Sequence, residues 1–136
     1  MKKFSLFIFL CFFLVSNSYA GWFDKNKIKV TKCYEISVFK NYKAHLKDLE
    51  RKKESGFPFI LTKWEWELNL KEKIAYRTTI MNGDLGINQF RIKIATDDYI
   101  IVHDPTGDVQ FDLRNEAVVV SSLDTNSSTM HQCKFK

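Results

Sequence analysis

Acidic and imidazole side chains between positions 97 and 112 are the strongest candidates for chemistry in this chain. Asp97 and Asp98 precede a short apolar run, and His103 and Asp104 follow it. A His–Asp pair is a component of acid–base sites. These two pairs lie at opposite ends of a predicted strand. They would be about 17 Å apart at a rise of roughly 3.3 Å per residue, so they cannot act together. The sequence therefore favours a surface histidine at a strand end over a catalytic base.

The segment from Asp104 to Asp108, with Asp112 beyond it, brings carboxylates close together in the manner of a calcium loop. It lacks the glycine position and the terminal bidentate glutamate of an EF-hand. Aspartate, proline and glycine are also the usual residues of a plain hairpin turn. We therefore expect a turn here and no metal site.

Specific catalytic motifs are absent from the rest of the sequence. His45 and His131 belong to other elements, and nothing in the sequence indicates that they meet His103. There is no G-x-S-x-G, H-E-x-x-H or C-x-x-C motif and no glycine-rich phosphate loop. We therefore expect a protein that is not an enzyme and that needs no cofactor. A hydrolase that uses His103 and Asp104 is the residual alternative.

The first twenty residues have the pattern of a secretory signal peptide. Lys2 and Lys3 precede an apolar run over positions 4–15, and Ser18 and Ala20 supply small residues before a cleavage point. The run is too short to span a bilayer well, so no stable membrane insertion of the mature chain is expected. The pattern predicts secretion, and we expect the bacterial periplasm.

The remaining residues, 21–136, are predicted to form a single secreted domain. Cys33 and Cys133 are the two cysteines outside the signal, and an even pair in a secreted domain predicts one disulfide. Two free thiols are the alternative. The net charge of +5 includes Lys2 and Lys3, which leave with the signal. So weak a basic excess predicts no nucleic-acid partner.

The apolar pattern predicts a mainly β fold. Alternation begins at Ile28, a helical spacing of Tyr42, Leu46 and Leu49 predicts a short amphipathic helix over residues 41–54, and alternation then continues to the end of the chain. The connections are too short for parallel pairing. A bond between the first and last strands would curl the sheet. We therefore expect a small antiparallel barrel or sandwich of seven to eight meander strands, with one helix after the first strand.

Large aromatic residues recur along the predicted strands. Core packing is one interpretation, and a cavity for a small apolar ligand is the other, since small barrels can hold such a molecule. The ligand-cavity candidates are Trp64, Trp66, Tyr76, Phe90 and Phe111.

The plan resembles that of the small periplasmic β-barrel proteins that include bacterial lysozyme inhibitors. The resemblance covers only the signal, Cys33-Tyr34 and Cys133, and the loop motif of the inhibitors, a Ser-Gly pair leading into an aromatic strand, is not found here. It is architectural and transfers no site residue.

Two functions are expected from these observations. The first is a non-enzymatic, periplasmic protein-binding or envelope accessory protein, whose partner the sequence does not identify. The second is a carrier of a small apolar ligand in a barrel cavity.

Overall fold

The computed structural model describes residues 26–136, so the signal peptide predicted over residues 1–20 lies outside the described residues. These residues form eight strands and one helix. In chain order they are β1 (Lys27–Glu35), α1 (Tyr42–Glu54), β2 (Leu61–Asn69), β3 (Ile74–Met81), β4 (Asp84–Ala95), β5 (Tyr99–His103), β6 (Val109–Asp112), β7 (Ala117–Ser122) and β8 (Ser127–Phe135).

The strands form a closed antiparallel barrel. Each strand pairs with the next one along the chain, and β8 returns to pair with β1. This confirms the predicted mainly β fold with one helix after the first strand, and it selects the barrel over the sandwich. Closure removes most of the unpaired strand edges that an open sheet would expose.

The barrel interior is filled by apolar side chains. Trp66 lies near its centre, with its ring centroid 5.3 Å from that of Phe111 and 5.5 Å from that of Phe90. The fully buried members of this core include Trp66, Phe111, Leu68, Ile100, Val30, Val102, Val109 and Val118. Burial of these side chains is the main favourable contribution to folding.

The predicted disulfide is present and joins the first strand to the last. The Cα atoms of Cys33 and Cys133 lie 4.1 Å apart, and the bond links positions 100 residues apart in the chain. Cys33 lies in an irregularity of β1 between Thr31 and Tyr34, where Lys32 adopts a positive φ of 53°. The bond therefore fixes β1 to β8 at the point where the strand bends.

Helix α1 packs loosely on the outside of the barrel. Asn41 caps its first turn by accepting a hydrogen bond from the backbone N–H of Ala44, and the helix ends at Glu54 before Ser55 and Gly56. None of its residues is buried. Among residues 26–136, no helix has the length and apolar character needed to cross a membrane.

Candidate functional site

A slot opens in the barrel wall between β1 and β2. These strands pair only from Lys27 to Val30, and β1 then continues along β8 as far as Glu35. Strand β2 extends back to Leu61, so residues 61–65 have no partner in β1. Because the disulfide holds β1 against β8, the part of β1 that follows Val30 stays apart from residues 61–65 of β2.

Ring side chains form much of the lining of this slot, whose volume is about 280 Å³. The ring centroids of Trp64 and His131 lie 5.0 Å apart, and that of His45 lies 5.1 Å from Phe39 and 5.8 Å from Tyr42. These separations are typical of stacked and edge-on aromatic pairs. Residues from α1 and the turn before it thus face the same space as residues from β2 and β8.

The two histidines of the slot are biased toward the uncharged form. Burial lowers the pKa of His45 below its ordinary value, against the opposing effect of Asp48. Burial also lowers the pKa of His131, and the nearby His45 adds to this effect while Glu35 opposes it. Both imidazoles are therefore neutral at pH 7, where each offers one donor and one acceptor nitrogen.

Sequence reasoning did not find this pair of histidines. Positions 45 and 131 lie far apart in the chain, and only the closure of β8 onto β1 brings them together. His45 Nδ1 is buried without a hydrogen-bond partner among the described residues. His103 does not join them, because its Nδ1 pairs with Oδ1 of Asp108 at 3.2 Å.

Four of the five aromatic candidates for a ligand cavity lie on the inside of the barrel. Trp66, Phe90 and Phe111 pack on one another, and Trp64 contacts Trp66 edge-on while facing the slot. Tyr76 was predicted to share this face. The structure places it on the outside instead, because it follows the buried Ala75 and lies opposite Glu67 and Gln89.

In β3, the side chain of Arg77 faces the barrel interior, where the alternating pattern predicts an apolar side chain. Its guanidinium carbon lies 4.8 Å from the ring centroid of Phe90 and 5.7 Å from that of Trp66. Nη1 lies 3.5 Å from Oδ2 of Asp104. The cation is thus held by two aromatic faces and one carboxylate, which offsets the cost of its partial burial.

The acidic segment after β5 is a turn, as the sequence predicts. Oδ1 of Asp104 accepts hydrogen bonds from the backbone N–H and the hydroxyl of Thr106, and the N–H of Gly107 donates to the carbonyl of Asp104. Within residues 26–136, no three His, Cys, Asp or Glu side chains are grouped so that they could hold a metal ion. The carboxylates of this segment are used in turn hydrogen bonds and ion pairs.

A second surface feature is the free edge of the β3–β4 hairpin. Residues 91–95 of β4 pair with β5, whereas residues 84–90 pair only with β3. The backbone N–H of Ile92 donates toward β3, to the carbonyl of Lys73. Because alternate residues of a strand turn their backbone groups to the same side, Leu85, Ile87 and Gln89 direct theirs to the free edge.

Apolar side chains accompany this edge. Leu85 is 65% exposed and Ile87 is 63% exposed on the outer face of the barrel. Near the tip of the hairpin, Asn82 Nδ2 donates to the carbonyl of Pro58, and Phe59 beside it is 67% exposed. Exposed apolar side chains grouped along a strand edge are typical of an interaction site.

No protein family, curated protein or solved structure matches this chain.

Proposed function

We propose that this protein is a non-catalytic binding protein that takes up an extended segment of a partner protein along the free edge of β4. The observation that carries the proposal is the lack of any strand partner for residues 84–90 on that edge among the described residues. The three outward-turned residues offer three N–H donors and three carbonyl acceptors in a row.

The backbone of the edge determines what kind of partner fits. A row of unpaired donors and acceptors at strand spacing is matched by another extended backbone, which binds by adding one strand to the sheet. Natural proteins usually protect such an edge with lysine, proline or a covering segment. Residues 84–90 contain neither lysine nor proline.

The side chains along the edge determine which partner sequences would bind best. Leu85 and Ile87 lie on the outer face at alternate positions, so an added strand would place apolar residues beside them with a period of two. Arg91 follows on the same face. A partner segment with alternating apolar residues and an acidic residue near one end would complement this surface.

The proposal can be tested with a displayed library of random heptapeptides as the probe. We expect the selected peptides to have alternating apolar residues. Their binding should be lost in Ile87→Pro, because proline removes the central edge donor. The N–H of Ile87 has no partner in β3, so this change should leave the barrel folded.

Ile94→Lys is the matched control. Ile94 lies on the same strand and is 40% exposed, but it pairs with Ile101 of β5 and lies outside residues 84–90, which form the free edge. Its substitution should leave peptide affinity unchanged. Peptides that bind Ile87→Pro as well as the parent protein would overturn the proposal, and so would a failure of the library to yield any binder.

The same proposal assigns the protein to an oxidising compartment outside the cytoplasm. A structural disulfide such as Cys33–Cys133 persists there and is rare in the cytosol. The carrier function predicted from the aromatic residues stays a prediction. The packing of Trp66 against Phe90 and Phe111 fills the space that such a ligand would need at the centre of the barrel.

A further inference from the structure

The slot between β1 and β2 combines an opening in the barrel wall with a lining of rings, and the β4 edge has no part in it. The opening follows from the strand register, since β1 leaves β2 after Val30. The disulfide at Cys33 holds it open from one side. The slot and the proposed peptide-binding edge are therefore formed by different parts of the barrel.

Two groups of rings line the slot. Phe39, Tyr42 and His45 come from α1 and the turn before it, and Trp64 and His131 come from the barrel. No residue of α1 is fully buried, and the ring contacts of His45 with Phe39 and Tyr42 hold the first group together.

The charged residues that line the slot indicate whether a ligand should be charged or neutral. Two lysines and two glutamates contribute to the lining, namely Lys32, Lys63, Glu35 and Glu65, and they balance in sign. Lys63 and Glu65 already pair with each other, with Nζ 3.5 Å from Oε2. With both histidines neutral, nothing in the lining favours an anion or a cation.

We infer that the slot binds a small, uncharged, planar ring compound between the His45 group and the Trp64–His131 pair. Its volume of about 280 Å³ fits a molecule of one or two fused rings and is too small for a drug-sized ligand. Planar rings gain from stacking and edge contacts with the lining in a way that a saturated ring of equal size cannot.

Indole is the probe for this inference, followed by NMR of the intact protein at pH 7. We expect saturable shifts of the ring resonances of His45, His131 and Trp64, with smaller effects elsewhere. Cyclohexanol, which is uncharged but not planar, should bind at least about tenfold more weakly. Benzoate, which is planar but anionic, should also bind more weakly.

Variants on the helix side separate ring recognition from folding. Phe39→Ala and His45→Ala should each weaken indole binding by about tenfold, because each removes one ring from the lining. Tyr76→Ala removes a ring from the outer face of the barrel and should leave indole affinity unchanged. Thermal unfolding of each variant checks that the barrel is intact.

Three results would overturn the inference. They are the absence of any indole-induced shift in the slot resonances, equal binding of cyclohexanol and indole, and parent-like indole binding by Phe39→Ala and His45→Ala. The first two can be obtained on the parent protein alone, so they are decisive even if a variant fails to fold. Loss of peptide binding at the β4 edge would have no bearing on any of them.

Discussion

Nη1 of Arg77 lies 3.5 Å from Oδ2 of Asp104, and this ion pair forms inside the rim of the barrel. Asp104 is 9% exposed, and its other carboxylate oxygen holds the turn through Thr106. One aspartate therefore stabilises both the inward-facing cation and the connection between β5 and β6.

Asp104→Ala should destabilise the protein by about 1–3 kcal/mol, because the substitution leaves a partly buried guanidinium without its carboxylate and removes the turn hydrogen bonds. Asp104→Asn keeps an oxygen for Thr106 and should cost less. Urea unfolding measures both. If Asp104→Ala unfolds at the same urea concentration as the parent protein, the pair contributes nothing to stability.

Among the glycines of residues 26–136, Gly107 has the least room for a side chain. It has a φ of 151°, and an added Cβ would lie 1.9 Å from the carbonyl oxygen of Ser121. Gly107→Ala should therefore prevent the turn from packing on β7 and strongly lower the melting temperature. Gly83→Ala is the control, since a Cβ there meets nothing within 4 Å. The Gly83→Ala variant should lose only the about 1–2 kcal/mol that a non-glycine residue costs at a positive φ, which is 83° here. Equal melting temperatures for the two variants would show that a side chain at Gly107 does not disturb the packing of the turn on β7.

The fold could be predicted from the sequence because alternation is nearly unbroken through β2 and the later strands. The disulfide followed from having two cysteines at opposite ends. The side-chain direction in β3 could not be predicted in the same way. Its apolar residues Ile74, Tyr76 and Ile80 lie at alternate positions, and this pattern taken alone predicts that they face the barrel interior.

Pairing with the neighbouring strands decides the direction of β3 instead. The two-residue turn at Asn82-Gly83 sets Met81 opposite Asp84, and Leu68 lies opposite the small Ala75 inside the barrel. The slot could not be predicted from the sequence either, because its position depends on the residue at which β1 stops pairing with β2. A single sequence carries no direct signal for the position of such a departure.

The histidines of the slot should make stability depend on pH in a defined window. Their folded pKa values are lowered by burial, whereas the unfolded values are about 6.5. The unfolded chain therefore binds more protons below pH 6.5, and stability falls as the pH decreases from that value toward the folded pKa values. Above pH 6.5 the histidines contribute no pH dependence.

Unfolding free energies measured between pH 5 and pH 8 test this expectation. The double variant His45→Gln, His131→Gln should have a flatter profile below pH 6.5. A double variant with an unchanged slope would show that these histidines do not titrate as described.

Asp112 should titrate at an unusually acidic pH. A hydrogen bond from the side chain of Asn115 lowers the pKa of its carboxyl below the usual range, and the backbone N–H groups of Asn115 and Arg114 add to the effect. Asn115→Ala should raise the pKa of Asp112 toward its ordinary value. Carboxyl-carbon NMR titration of the two proteins measures the difference, and identical titration curves would refute the assignment.

Loss of the disulfide should destabilise the barrel through its unfolded state. The bond closes a loop of 100 residues, for which the chain-entropy model gives up to about 4.7 kcal/mol. The paired variant Cys33→Ser, Cys133→Ser should still form the barrel, because β1 and β8 also pair through their backbones. Chemical unfolding compares the two proteins, and equal stability would contradict the expectation.

Amide hydrogen exchange shows residue by residue whether the free edge of β4 accepts an added strand. Exchange is measured with and without a library-selected heptapeptide. We expect the peptide to newly protect the amides of Leu85, Ile87 and Gln89. Gly86 and Asn88 should change little, because their N–H groups already face β3. Protection confined to other parts of the barrel, or equal at all five positions, would contradict strand addition at this edge.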